Sequence, residues 1–198
     1  MTVTWVRNNV LVLDDVLSDD ELRALCDASE SGYFDIQELG RGLGYHRARF
    51  RAQVESNVVA EILWRHLSEF TDPLSKWLGT EGPFPGGTTG DDWNGHSCNP
   101  RSRFYQYEIG GNFSEHEDEP WVRSQYVRSF LTVLVYLPTE ERCIGGETVV
   151  DGDAITVVPG RIALFPHSAP HEGRPVERGQ KLVLRNDVLF EAMSTLER

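Results

Sequence analysis

The sequence predicts a mainly β protein with supporting α-helices, arranged as a helix-supported jelly roll. Three observations predict it. After Arg101 the chain breaks into short runs rich in Val, Ile, Leu, Phe and Tyr, separated by Gly, Pro or Asp turns, as in sandwiches and barrels. Helical periodicity is confined to the first half. A chain of 198 residues with 39% hydrophobic and 25% charged content suits one globular domain with a real core. The expected organisation is therefore a single domain over residues 1–198, with helical support and a Gly-rich loop in 1–100 and the jelly-roll core in 101–192.

Asn9 to Val16, rich in Val and Leu with imperfect alternation, reads as a short strand. A helix follows from Ser18 to about Ser29. Ser18-Asp19-Asp20-Glu21 fits a capping box, Leu17 and Leu22 occupy the hydrophobic-staple positions, and the acidic first turn suits the positive end of the helix dipole. Gly40 to Gly44 reads as a turn, and His46 to Arg51 as an edge strand with a solvated basic face. From Ser56 to Phe70, the apolar residues Val59, Ile62, Leu63, Leu67 and Phe70 recur at helical spacing, and Pro73 suits the first turn of another short helix. Gly79 to Arg101, rich in glycine and proline, reads as one long loop, a lid over a site. The expected core strands are Arg103 to Ile109, Arg128 to Leu137, Glu147 to Val150, Ala154 to Val158, Arg161 to Phe165 and Leu182 to Phe190.

Composition excludes several classes. A formal charge of -12 disfavours nucleic-acid binding, which needs clustered Lys and Arg. No apolar run approaches the roughly 18 residues of a membrane span, and the N-terminal segment lacks a secretory pattern, so the expectation is a cytoplasmic protein without a membrane partner. Cys26, Cys98 and Cys143 are widely spaced and form no C-x-x-C, so reduced thiols are expected.

The chemistry centres on Phe113-Ser114-Glu115-His116-Glu117-Asp118. In extended backbone His116 and Asp118 leave the same face and converge on one small ion. Either His167 or His171, both in Pro166-His167-Ser168-Ala169-Pro170-His171-Glu172-Gly173, would complete a set of two histidines and one carboxylate, the donor set of non-haem ferrous iron. Ten residues after His171, Lys181 opens a strand whose inward face also carries Arg185.

These segments resemble the prolyl 4-hydroxylase type of the iron(II)- and 2-oxoglutarate-dependent dioxygenases, in particular its compact bacterial and fungal members. The resemblance runs from about Arg103 to Phe190, with a weaker echo from Arg47 to Trp77. It is carried by Arg103-Phe104-Tyr105-Gln106-Tyr107-Glu108-Ile109-Gly110, the His116 and Asp118 pair, Arg128-Ser129-Phe130-Leu131-Thr132 with Tyr136-Leu137, Gly145-Gly146-Glu147-Thr148, and His171-Glu172-Gly173 through Lys181 to Leu189.

The resemblance implies a double-stranded β-helix (jelly-roll, cupin-like) core and a hydroxylase. It implies Fe(2+), 2-oxoglutarate and O2, with ascorbate admitted as an accessory. His116, Asp118 and His171 would bind iron; the Glu-Gly that follows His171, and its distance to Lys181, favour it over His167, which is left as a loop hydrogen-bonder. Lys181 would pair with the distal carboxylate of 2-oxoglutarate. Tyr107 and Tyr136 would hydrogen-bond the cosubstrate, Leu134 would wall its pocket, and Arg185 would point toward the iron-proximal carboxylate or the substrate. The expected substrate is a small molecule, an amino acid or natural-product intermediate. Glu115, Glu117 and Glu119 either face water or form an acidic rim for a cationic substrate. Two alternatives stand beside this reading: hydroxylation of a prolyl or other residue in a peptide or protein, and a non-catalytic cupin-like metal-binding module.

Overall fold

The structure is a computed structural model that describes residues 1–7, 9–31, 33–35, 48, 50–79, 84–85 and 88–193. The predicted Gly40 to Gly44 turn and His46 lie outside the described residues. Among the described residues, fifteen strands and three α-helices follow one another as β1 (Thr2–Arg7), β2 (Val10–Asp14), α1 (Asp19–Glu30), β3 (Tyr33–Asp35), β4 (Phe50–Glu55), α2 (Asn57–Thr71), α3 (Ser75–Leu78), β5 (Trp93–Cys98), β6 (Arg101–Tyr107), β7 (Phe113–His116), β8 (Val127–Leu137), β9 (Ile144–Gly145), β10 (Thr148–Val150), β11 (Asp153–Ile155), β12 (Ile162–Pro166), β13 (His171–Gly173), β14 (Val176–Arg178) and β15 (Lys181–Ala192), with a 3-10 turn at Gly90–Asp92 before β5.

Nine strands form a large sheet in the order β1-β2-β12-β8-β15-β6-β4-β3, with β5 also paired to β15. A four-stranded sheet, β11-β10-β13-β7, faces it, and β14 pairs with β9. The strand β15 is the hub. One of its edges carries β8; the other carries β6 along Lys181 to Arg185 and β5 along Val188 to Ala192. The change of partner is fixed by Asn186, whose amide donates to the Asn99 carbonyl at 2.7 Å and to Ser102 Oγ at 2.8 Å.

Both faces of the large sheet are covered. Leu11, Leu13, Val133, Val135, Leu164 and Leu184 pack with Leu63, Leu67 and Trp77 of the helices, whereas Val10, Val12, Leu134, Tyr136, Ala163 and Val183 face the small sheet. A strand buried on both sides has no polar face to show, so β12 and the second half of β8, Val133 to Leu137, read as continuous apolar runs. Truncating a fully buried leucine such as Leu63 to Ala would cost roughly 2–5 kcal/mol.

The capping box of α1 forms: the Ser18 amide donates to Glu21 Oε2 at 2.9 Å and the Glu21 amide to Ser18 Oγ at 3.3 Å. Glu21 also takes Arg65 at 2.8 Å and contacts His66 Nε2 at 3.1 Å, which ties α1 to α2 and gives His66 its partner. All three cysteines are free.

Several expectations change. The expected strand over Asn9 to Val16 is β2, while β1 and β3 add to the N-terminal part of the large sheet and β4 lies between β6 and β3 rather than at an edge. The segment expected as one loop over Gly79 to Arg101 contains β5, whose polar centre gives no strand signal; its pairing with β15 and its buried ends, Trp93 and Cys98, hold it extended. The run expected over Ala154 to Val158 is the shorter β11; β7, β13 and β14 add strands that composition does not announce, and β1 adds one whose Thr, Val and Trp do suit a strand.

Candidate active site

The antiparallel pair β7 and β13 places His116 opposite His171. Asp118 lies two residues beyond β7, where its amide donates to the His167 carbonyl at 2.9 Å. One ligand atom from each of His116, Asp118 and His171 falls within 4.8 Å of the others. Each histidine donates its Nδ1 proton to a carbonyl two residues earlier, His116 to Ser114 and His171 to Ala169, both at 2.9 Å. A carbonyl only accepts, so both Nε2 atoms keep their lone pairs for a metal. Burial lowers the His171 pKa and favours the neutral ring.

Asp118 is the most constrained of the three. Burial opposes its charge, but Arg185, His171 and the Thr132 hydroxyl hold its carboxyl well below the ordinary range. Arg185 Nη2 lies 3.0 Å from Asp118 Oδ1, and its Nη1 lies 3.1 Å from Asp187 Oδ1. Thr132 Oγ1 donates to Asp118 Oδ2 at 2.6 Å. The set of two imidazoles and one carboxylate, each braced by a hydrogen bond, fits ferrous iron.

His167 lies in the turn after β12 and is a hydrogen-bonder as expected, but a buried one. It is 5% exposed, and its Nδ1 lies 2.7 Å from Thr132 Oγ1 while its Nε2 lies 2.8 Å from Ser129 Oγ. The proton positions follow from Asp118. Because the carboxylate can only accept, the Thr132 hydroxyl proton points at it, so Thr132 must accept from His167 Nδ1. Burial lowers the His167 pKa to about 4, so the ring is neutral and its Nε2 accepts from the Ser129 hydroxyl. Ser129 in turn accepts from the Trp121 amide at 2.8 Å. Every member of this buried chain is satisfied in one direction, ending on Asp118.

A cavity of about 170 Å³ lies between the two sheets, roughly ten times what one water needs. His116, Asp118, His171, Lys181, Tyr107 and Leu134 line it, together with Arg185. Lys181 is 5% exposed; its ammonium donates to the Gly146 carbonyl at 2.7 Å and Thr148 Oγ1 at 3.3 Å, and lies 5.6 Å and 5.5 Å from the ring centres of Tyr107 and Tyr136. Among the described residues it has no ion-pair partner, and burial lowers its pKa to about 8. Among the described residues the Tyr136 hydroxyl is buried with no hydrogen bond of ordinary geometry, its polar neighbour being Thr148, and burial raises its pKa to about 12. A buried cation and an orphaned hydroxyl side by side fit an anionic oxygen-bearing ligand. Tyr136 stands behind Lys181 rather than in the cavity wall.

The sequence reading gave no role to Arg103, Thr132, Thr148 or Asp187, all of which touch this region. For Arg103 a signal existed: it lies four residues before Tyr107 on the same strand face. Glu115, Glu117 and Glu119 are exposed and do not line the cavity, so no acidic rim forms at its wall.

Residues 102–186 match the sequence model of the 2OG-Fe(II) oxygenase superfamily. PKHD-type hydroxylases of Gloeothece citriformis and Acidovorax ebreus are 29% and 30% identical to the chain over 84 and 88 residues. Those alignments cover 40% of this chain and 38% and 39% of the relatives, so the chain spans about two fifths of their length. The fold likeness is broader. The viral collagen prolyl hydroxylase of Paramecium Bursaria Chlorella virus-1 matches 94% of this chain and 97% of its own at 18% identity, with a TM-score of 0.59. A prolyl hydroxylase of Trichoplax adhaerens matches 91% and 83% at 17% identity, with a TM-score of 0.60. Residues 102–186, which hold His116, His171, Asp118, Lys181 and Arg185, thus match the 2OG-Fe(II) oxygenase model, and the chain shares the double-stranded β-helix fold of these structures.

Proposed function

We propose that this protein is an iron(II)- and 2-oxoglutarate-dependent oxygenase that hydroxylates an unactivated C–H bond of a small molecule. One observation carries the reading. The lone pairs of His116 and His171 and the carboxylate of Asp118 converge in the cavity that also holds Lys181, a buried cation with no anionic partner among the described residues. His116, Asp118 and His171 would hold the iron, Lys181 would bind the distal carboxylate of 2-oxoglutarate, and the Tyr107 hydroxyl would orient it, with Tyr136 packed beside Lys181. Bound iron with 2-oxoglutarate and O2 supplies the oxidising power for C–H hydroxylation, with release of succinate and CO2. The carbonyls of Ser114 and Ala169 fix the tautomers of the two histidines, and Thr132 with Arg185 fixes the carboxylate. Leu134 and Val183 exclude water from the cosubstrate end.

Anaerobic addition of ferrous iron and 2-oxoglutarate is expected to give a weak visible charge-transfer band, and oxygen then yields succinate. Folded protein that shows neither defeats the proposal. A second reading, hydroxylation of a prolyl residue in a peptide, draws on the similarity to prolyl hydroxylases, one of which is in complex with a peptide fragment of hypoxia inducible factor. Profiling small molecules and prolyl peptides for a gain of one oxygen separates the two.

A further inference from the structure

Arg103 and Arg185 face each other across the β6 and β15 pair, and both line the cavity. Like charges directly opposite one another repel, and the Arg103 pKa is lowered first by burial and then by Arg185. Arg185 is already neutralised by Asp118 and Asp187. Arg103 is not: among the described residues this half-buried guanidinium makes no ion pair and no hydrogen bond. The acidic residue in the cavity wall besides Asp118 is Glu172, whose carboxylate lies 3.9 Å from Arg174. Two cations in the wall are therefore uncommitted, Lys181 and Arg103.

The two cations enter the cavity from separate points. Lys181 sits opposite Tyr107, and Arg103 lies four residues from Tyr107 along β6, which sets their backbones about 13 Å apart at a rise of ~3.3 Å per residue. With Lys181 taken by 2-oxoglutarate, Arg103 faces the remaining space.

We propose that Arg103 is a specificity-determining residue that pairs with a carboxylate of the substrate, which is thus a small molecule bearing a free carboxylate. A planar guanidinium matches a carboxylate through two parallel hydrogen bonds. A polyanion meets repulsion from a chain of net charge -12, whereas a single carboxylate beside Arg103 does not need a wider basic surface. This assignment rests on the oxygenase reading and runs against the alternative of an acidic rim for a cationic substrate.

The test compares acids with their primary amides: proteinogenic amino acids, their N-acetyl derivatives and short aliphatic carboxylic acids. Binding is measured calorimetrically to protein loaded anaerobically with ferrous iron and 2-oxoglutarate, with a blocked prolyl peptide as a further arm. At least one acid is expected to bind roughly tenfold or more tighter than its amide. Arg103→Gln erases that preference, and Arg103→Lys restores part of it, which separates lost charge from lost fold. The proposal is overturned if no acid is preferred over its amide, if the preference survives in Arg103→Gln, or if the blocked peptide binds tightest. Failure to load iron and 2-oxoglutarate would instead count against the oxygenase reading, and the same acid and amide comparison on unloaded protein would still decide the role of Arg103.

Discussion

Arg185 grips Asp118 at two points, Nη2 at 3.0 Å from Oδ1 and Nε at 3.4 Å from Oδ2, so the carboxylate that would hold the metal is already counterbalanced by a buried cation. Breaking such a pair leaves a buried charge uncompensated and costs roughly 3–5 kcal/mol. Arg185→Met is expected to destabilise the metal-free protein by about that amount. A divalent cation supplies the missing positive charge, so manganese should raise the stability of Arg185→Met by more than it raises that of the wild type. Urea unfolding with and without manganese measures both; equal metal-induced gains would show that Arg185 does not balance the charge of Asp118.

The two histidines that compete in the sequence have separable roles. His171→Ala is expected to abolish stoichiometric iron binding. His167→Ala should keep the stoichiometry but weaken affinity roughly 10–100-fold, because it removes the support of Thr132 on Asp118. Thr132→Val should do the same, and the double variant should be little worse than either single one, since both cut one chain. Competition with a chromophoric chelator reads the affinities. Full additivity would mean that His167 and Thr132 act independently.

The acid side of the stability curve should report on Glu21. Burial opposes its charge, but hydrogen bonds from the Ser18 amide and hydroxyl and contact with His66 bring its pKa down from 4.5 to about 2. A depressed carboxyl pKa stabilises the fold above the unfolded value and loses that contribution as pH falls from about 4.5 toward about 2. Glu21→Gln should therefore be less stable than wild type at neutral pH and approach it near pH 2. A constant difference across that range would show that the capping interactions do not depend on the charge.

What could be read from the sequence follows from how local each feature is. His116, Asp118, His171, Lys181 and Arg185 were legible because strand periodicity assigns a face and motif order assigns a partner. Arg185's contacts were not, because Asp118 lies past the end of β7 and reaches the guanidinium only through tertiary packing. His167 was undervalued for the same reason, its hydroxyl partners lying 35 and 38 residues away in sequence. The polar strand β5 was invisible to a search for apolar alternation, since its extended state comes from pairing with β15. The helices were easier: capping and periodicity act within a few residues of chain, and Ser18 with Glu21 forms the box their spacing predicts.

Lys181 carries the last prediction because its burial works against the fold until a ligand arrives. Its pKa falls from 10.5 to about 8 through burial, so folding is penalised while the ammonium stays charged. The unfolded chain binds the proton more tightly, and ligand-free protein should gain stability as pH rises from about 8 toward 10.5, since the unfolded state then holds more protons than the native one. Lys181→Met removes this rise and should be at least as stable as wild type at neutral pH, while weakening 2-oxoglutarate binding by roughly tenfold to a hundredfold through loss of a charged hydrogen bond. Thermal unfolding across this pH range, paired with anaerobic titration of 2-oxoglutarate, separates the two effects. A Lys181→Met variant that unfolds more readily yet binds 2-oxoglutarate normally would make the lysine a structural residue held by Gly146 and Thr148 alone.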